Sequence, residues 1–180
     1  MRDIYEELLF THEDIVKRAK ELGQIISVDY AGKKPLVVGL LKGSVPFMAE
    51  LIKHISCDIE IDFMQASSYE GTTSSNLNVK IKKDLDVDIT DRDILIVEDI
   101  VDTGLTLKKV SEIFKGRGAR SVEVVSLLNK EENRLVDDLY IKYIGYEIPN
   151  KFVVGFGLDY DELYRNTDDI GVLKKEIYMK

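Results

Sequence analysis

Three carboxylates, Glu98, Asp99 and Asp102, crowd into five consecutive positions of this 180-residue chain, inside the segment ILIVEDIVDTGLTL (residues 94–107). Carboxylates this close repel one another at neutral pH, so stability alone gives no reason to place them together. Behind them, Thr103-Gly104-Leu105-Thr106 offers backbone amides and two hydroxyls where an apolar-periodic stretch begins. A helix N-terminus of that kind attracts a phosphate dianion, through both its free N–H groups and its dipole. The residue types therefore specify a ligand with hydroxyls and phosphate together, its vicinal hydroxyls, as on a ribose, donating to Glu98 and Asp99. A plainer reading, in which one acid caps the helix and another is merely solvated, uses a single oxygen acceptor and leaves the crowding unexplained. A second turn, Lys42-Gly43-Ser44, follows the apolar run PLVVGLL (35–41). It pairs a cation with a glycine that lets backbone approach an anion closely.

Two such turns serve one ligand only if the strands before them end side by side. Residues 35–41 and 93–97 are continuous apolar runs too short for buried helices, as expected of strands covered on both faces. Val45, Phe47, Met48, Leu51, Ile52 and Ile55 predict a helix after the first, and residues 103–116 a helix after the second. Upstream, Thr11 and Asp14 resemble a capping box, and Ile15, Ala19, Leu22, Ile25 and Ile26 predict a helix over about 12–29. Residues 58–63 alternate acidic and apolar, the period of a half-exposed strand, and Val79 and Ile81 resume a strand that can pair with 58–66 as an antiparallel flap. Between them SSYEGTTSSNLN (67–78) is polar and reads as a lid with Tyr69 at its base. Further strands are expected at 121–128, 140–146, 151–156 and 170–173. Strands alternating with helices argue an α/β fold around a parallel sheet with right-handed crossovers. Ligands of such sheets bind outside the carboxyl ends of the strands, where both turns fall.

Composition narrows the function. Of the chain, 44% is hydrophobic and 32% charged, ordinary for a globular domain with one substantial core. A net charge of -8 argues against generic nucleic-acid binding, which relies on a basic surface. Cys57 is the one cysteine, so no internal disulfide forms. No apolar stretch approaches the roughly 20 residues that span a bilayer, and MRDIYEELLF is acidic where a signal peptide is basic. The expectation is a cytoplasmic protein without membrane or nucleic-acid partners.

ILIVEDIVDTGLTL resembles the phosphoribosyl pyrophosphate (PRPP) signature of the type I phosphoribosyltransferases. SLLNK (126–130) and GYEIPNKFVVGFGLDYDELYRN (145–166) resemble segments of the hypoxanthine-guanine members in particular. The likeness runs from about Val38 to Arg165 in separate blocks in the right order. It implies one domain over 1–180, with a mostly parallel sheet core at about 12–144. A small hood would be built mainly from about 145–180 with the N-terminal segment. The implied activity is purine salvage: transfer of the phosphoribosyl group from PRPP to N9 of hypoxanthine or guanine, releasing pyrophosphate, with Mg²⁺ as cofactor.

Carried over by motif, the resemblance implies that Glu98 and Asp99 hold the ribose hydroxyls and, with Asp159, the metal. Asp102, Thr103, Gly104, Leu105 and Thr106 would cradle the 5'-phosphate. Lys42, Gly43 and Arg165 would meet pyrophosphate, in relatives often through a non-proline cis peptide at Lys42. Lys130 would donate to the purine 6-oxo group, Phe152 would stack on the base, and Val153 and Asp159 would read its edge. Asp102 would be the acid/base partner of purine N7, and Ser68 and Tyr69 would root the closing loop. Position 105 is basic in some relatives and Leu here, so the phosphate turn lacks a side-chain charge at that point. Homodimers or homotetramers are usual among relatives. His12 and His54 fit structural roles, and Cys57 that of a small buried hydrophobe. Two alternatives keep the PRPP signature: a non-catalytic PRPP sensor, which needs neither Lys130 nor Phe152, and a transferase for another base such as xanthine, orotate or uracil.

Overall fold

The computed structural model describes residues 3–69 and 78–179, so most of the expected lid lies outside the described residues. Six strands form the main sheet, in the order β4-β3-β2-β5-β6-β7. They are β2 (Leu36–Leu40), β3 (Glu60–Tyr69), β4 (Asn78–Lys83), β5 (Asp93–Val101), β6 (Ser121–Asn129) and β7 (Tyr143–Glu147). All neighbours run parallel except β4, which pairs antiparallel with β3 to make the expected flap.

Helices cover both faces. Alternate residues of each strand point to opposite sides, so Val37, Leu95 and Val97 pack with Ile15, Leu22 and Ile26 of α1 (His12–Asp29) and Phe47 and Met48 of α2 (Val45–Leu51). Leu36, Val38, Ile94 and Ile96 face the other way, onto Leu107, Val110 and Phe114 of α3 (Leu105–Gly116). All five residues of β2 are buried, which is why its sequence shows no polar alternation. α1 opens with the capping box that Thr11 and Asp14 suggested, the Thr11 side chain accepting from the Asp14 amide and the Asp14 side chain from the Thr11 amide.

A second, antiparallel sheet has the order β1-β9-β8, from β1 (Tyr5–Phe10), β8 (Val153–Val154) and β9 (Ile170–Leu173), and a final short helix α4 covers Lys175–Tyr178. It joins the two ends of the described chain. β1 was not expected as a strand, because its pattern of burial is irregular and its register with β9 slips twice.

Several boundaries differ from expectation. β5 continues through Val101, because β6 pairs with it as far as Asn129, so Glu98 and Asp99 lie within the strand rather than at its end. α3 starts at Leu105, since Gly104 stands in the left-handed region at φ 78. The helix after β2 ends at Leu51 and tightens into a 3-10 turn over Ile52–His54. β7 begins at Tyr143 rather than Tyr140, and the expected strand 151–156 shrinks to two residues because Gly155, Phe156 and Gly157 all take positive φ and turn the chain. Cys57 is partly rather than fully buried, packed at the edge of the core. Among the described residues no helix is long and apolar enough to cross a membrane.

Candidate active site

β2 and β5 are neighbours in the sheet, with Gly39 opposite Val97, so the turns that leave them open together on one edge. The Leu41–Lys42 peptide bond between β2 and its turn is cis. A Cβ on Gly43 would stand 1.7 Å from Asp99 Oδ2, so the backbone of the first turn lies directly against a carboxylate of the second. From the hood side, a Cβ on Gly157 would stand 2.0 Å from the Gly43 carbonyl oxygen. Glycine at both positions lets three chain segments meet.

β5 carries Glu98 and Asp99, half-buried, into a cavity of about 230 Å³ lined by residues 98–104 with Thr106 and Leu107. Burial pushes Asp99 up to about 6; Asp159 adds to the rise, while the Ile100 amide, at 2.9 Å from Asp99 Oδ1, and the Arg165 charge oppose it. Glu98 is pushed well above the usual carboxylate range, first by burial and then by the charge of Asp99. Removal from water and like charge both disfavour the ionised forms. A cation or donated hydroxyls would relieve both.

At the far end of the cavity, left-handed Gly104 precedes α3 and no side chain caps the helix. The Leu105 amide reaches Thr103 Oγ1 only at 3.5 Å, and among the described residues no other first-turn N–H of α3 meets a side-chain acceptor. Thr103 and Thr106 line the same space, whereas Leu105 does not. The back of the turn is covered by the segment after β6: the Leu135 amide donates to the Thr103 carbonyl at 3.0 Å, and Arg134, Val136 and Leu139 crowd Gly104.

Lys130, at the end of β6, is buried with a side chain 8% exposed, and its Nζ stands 3.4 Å from Asp102 Oδ2. A lone surface lysine would be solvated; here the backbone amide of Lys130 donates to Val101 at 2.9 Å, which brings the end of β6 against the end of β5. Asp102 Oδ1 accepts from Asn133 Nδ2 at 2.9 Å.

Lys42 and Arg165, the two side chains expected at pyrophosphate, converge on Glu162, at 3.1 Å and 3.0 Å from its Oε2. Arg165 also donates to the Gly157 carbonyl at 2.7 Å and pairs with Asp159 Oδ1 at 2.9 Å. Asp159 Oδ2 accepts the Glu162 amide at 2.9 Å. Asp159 thus braces the turn that presents Arg165. Among the described residues no group of three or more His, Cys, Asp or Glu side chains forms a ready metal site.

Phe152, 38% exposed, is stacked on Tyr178 with centroids 5.0 Å apart and meets Tyr160 edge-on at 5.8 Å. Val153 is buried in β8 opposite Val172. Ser68 and Tyr69 end β3, paired with Val79 and Asn78. His12 and His54 stay structural: His12 starts α1 and its amide donates to Asp169 at 2.9 Å, while His54 Nε2 lies 2.9 Å from Glu50 Oε1.

Sequence reasoning missed Asn133, Glu162 and Tyr178. Glu162 sits inside the DYDELYR block and could have been singled out as an acid beside two expected phosphate binders. Asn133 and Tyr178 carry no local signal, since their partners lie 31 and 26 residues away in Asp102 and Phe152.

The phosphoribosyl transferase domain family matches residues 6–161. A hypoxanthine-guanine phosphoribosyltransferase of Streptococcus agalactiae is 57% identical over 175 residues, covering 97% of each chain, and one from Lactococcus lactis is 55% identical over 97% of this chain and 94% of its own. A crystal structure of a hypoxanthine phosphoribosyltransferase from Staphylococcus aureus superimposes with a TM-score of 0.94 at 49% identity, covering 99% of this chain and 96% of that one. With two strand-end turns meeting over paired carboxylates, and these full-length likenesses, the chain belongs to the type I phosphoribosyltransferase family, among the hypoxanthine-guanine phosphoribosyltransferases of purine salvage.

Proposed function

We propose that the cavity at the end of β5, together with the neighbouring turn after β2, binds PRPP and that the chain transfers its phosphoribosyl group to N9 of a 6-oxopurine, hypoxanthine or guanine. The observation that carries the choice of base is Lys130 Nζ standing 3.4 Å from Asp102 Oδ2. On a 6-oxopurine the 6-oxo oxygen and N7 are adjacent on one edge. Lys130 supplies the donor for the oxygen, and Asp102 the acceptor for a proton at N7. A 6-amino group would place donor against donor at Lys130, the kind of buried mismatch that discriminates strongly.

The bond that forms joins C1 of the ribose to purine N9, and the bond that breaks joins C1 to a pyrophosphate oxygen. As the leaving group departs, positive charge grows on the ribose. Glu98 and Asp99 stabilise that charge more than the neutral ground state, which is the condition for catalysis. The amides and hydroxyls of the 103–106 turn hold the 5'-phosphate, while Lys42, the Gly43 backbone and Arg165 take the pyrophosphate, releasing Glu162. Asp102 accepts the N7 proton as the N9 bond forms. Phe152 stacks on the base, and the Val153 backbone with Asp159 reads its edge.

Mg²⁺ fits the donor set, since Glu98, Asp99 and Asp159 are hard oxygen ligands and this ion characteristically binds through one or two carboxylates and substrate phosphates rather than a full protein cage. When bound, it neutralises pyrophosphate charge. The resemblance to the family also supports a homodimer or homotetramer, a lid rooted at Ser68 and Tyr69, and a hood formed by the β1-β9-β8 sheet.

The test is a substrate panel. With PRPP and Mg²⁺, hypoxanthine and guanine should be consumed, followed by absorbance, while adenine, orotate and uracil are not. Turnover of adenine at a comparable rate would overturn the assignment of Lys130, and no turnover of any base would favour a PRPP sensor.

A further inference from the structure

We infer that Asn133 is a positioning residue for Asp102, an inference that rests on the acid/base role proposed for that carboxylate. Asn133 ends the 3-10 turn Glu131–Asn133 that follows β6. Its Nδ2 donates to Asp102 Oδ1 at 2.9 Å and to Asn150 Oδ1 at 2.8 Å. A side-chain amide nitrogen has two hydrogens, and here each has its own acceptor. The ionised Asp102 carboxylate can only accept, so it fixes which way the Asn133 amide points, and Asn150 Oδ1 takes the second hydrogen.

The consequence falls on the geometry of Asp102. Its side chain is 44% exposed, and nothing in its own turn locks it. With Oδ1 held by Asn133, the carboxylate cannot rotate freely, and Oδ2 is left beside Lys130 Nζ, on the side where N7 and the 6-oxo group would sit. The holder is itself anchored to the same site. Its amide donates to the Lys130 carbonyl at 3.2 Å, and two residues on the Leu135 amide donates to Thr103 at 3.0 Å. Asn150 begins the segment that leads to Phe152 and Val153. The Asn133 side-chain amide therefore joins the acid/base residue to the approach to the base platform, while Leu135 separately ties the same segment to the phosphate turn. A neutral donor also suits the task, because a second cation beside Asp102 would compete with substrate protons, whereas an amide stabilises the carboxylate and leaves one oxygen to react.

The test is a double-mutant cycle read by kinetics. Asn133→Ala should lower kcat with hypoxanthine about tenfold or more and leave the KM for PRPP within about twofold, because the ribose and phosphate contacts do not involve it. Asn133→Asp, which keeps the side-chain shape but removes the donor, should lower kcat in the same direction; it guards against a folding defect in the alanine variant, checked by melting temperature. In an Asp102→Asn background, Asn133→Ala should cost almost nothing further, since a residue that acts through Asp102 has nothing left to position. Equal losses in both backgrounds, or wild-type kcat in both Asn133 variants beside an impaired Asp102→Asn, would overturn the inference alone. Wild-type turnover in Asp102→Asn would overturn the underlying acid/base reading and this inference with it.

Discussion

Replacing Gly43 with alanine perturbs the site through one contact whose cost can be followed atom by atom. The Gly43 backbone is outside the left-handed region, so alanine meets no conformational penalty there, and the effect is steric. Its Cβ would stand 1.7 Å from Asp99 Oδ2 and 2.6 Å from Cγ, which no real contact tolerates. Either the Lys42-Gly43 turn retreats or Asp99 rotates. Rotation gives up the Ile100 amide at 2.9 Å from Oδ1. Such a charge-assisted bond is worth about 1.5–3 kcal/mol, and an off-rotamer side chain costs about 0.5–1.5 kcal/mol. Together these amount to about 2–4.5 kcal/mol, or about 30- to 2000-fold in affinity. Titration calorimetry with PRPP and Mg²⁺ should show that loss in Gly43→Ala, and only a small further loss when Gly43→Ala is added to Asp99→Ala, where the clash is gone. Wild-type affinity in Gly43→Ala, or the same large loss in both backgrounds, would refute the claim that Gly43 is there to admit Asp99.

Two further predictions concern charge. Glu162→Gln frees Lys42 and Arg165 from an internal carboxylate that occupies the place proposed for pyrophosphate, and should lower the KM for PRPP by about two- to fivefold, a range set by the weakness of exposed ion pairs; an unchanged or raised KM contradicts it. Folded Asp99 keeps its proton up to about 6, while in the unfolded chain it ionises near 3.8, so between these values rising pH favours unfolding. Asp99→Asn should therefore gain in melting temperature over wild type as pH rises from 4 to 6, and no further above; a pH-independent difference contradicts this.

Much of the site was legible because it is local. Glu98 through Thr106 is contiguous, and the apolar runs 35–41 and 93–97 announced two buried strands whose ends had to neighbour one another. What the sequence hid depends on partners far along the chain. Lys130 and Phe152 carry no local signal of their own and were picked out only by the resemblance; β6 sets Lys130 beside Asp102, and the hood leaves Phe152 38% exposed. β1 escaped because its strand character comes from pairing with β9, at the opposite end of the chain. Backbone turns were hidden for a related reason: in GFG (155–157) a non-glycine residue, Phe156, also takes positive φ, and this cuts β8 to two residues.

In the proposed reaction Asp102 moves a purine proton while its neighbours hold PRPP. Single-turnover rapid quench of Asp102→Asn with PRPP, Mg²⁺ and hypoxanthine tests it most directly. The chemical step should be slower by about 10²–10⁴, with PRPP affinity within about twofold of wild type. A chemical step at the wild-type rate, or a loss confined to PRPP binding, would contradict it.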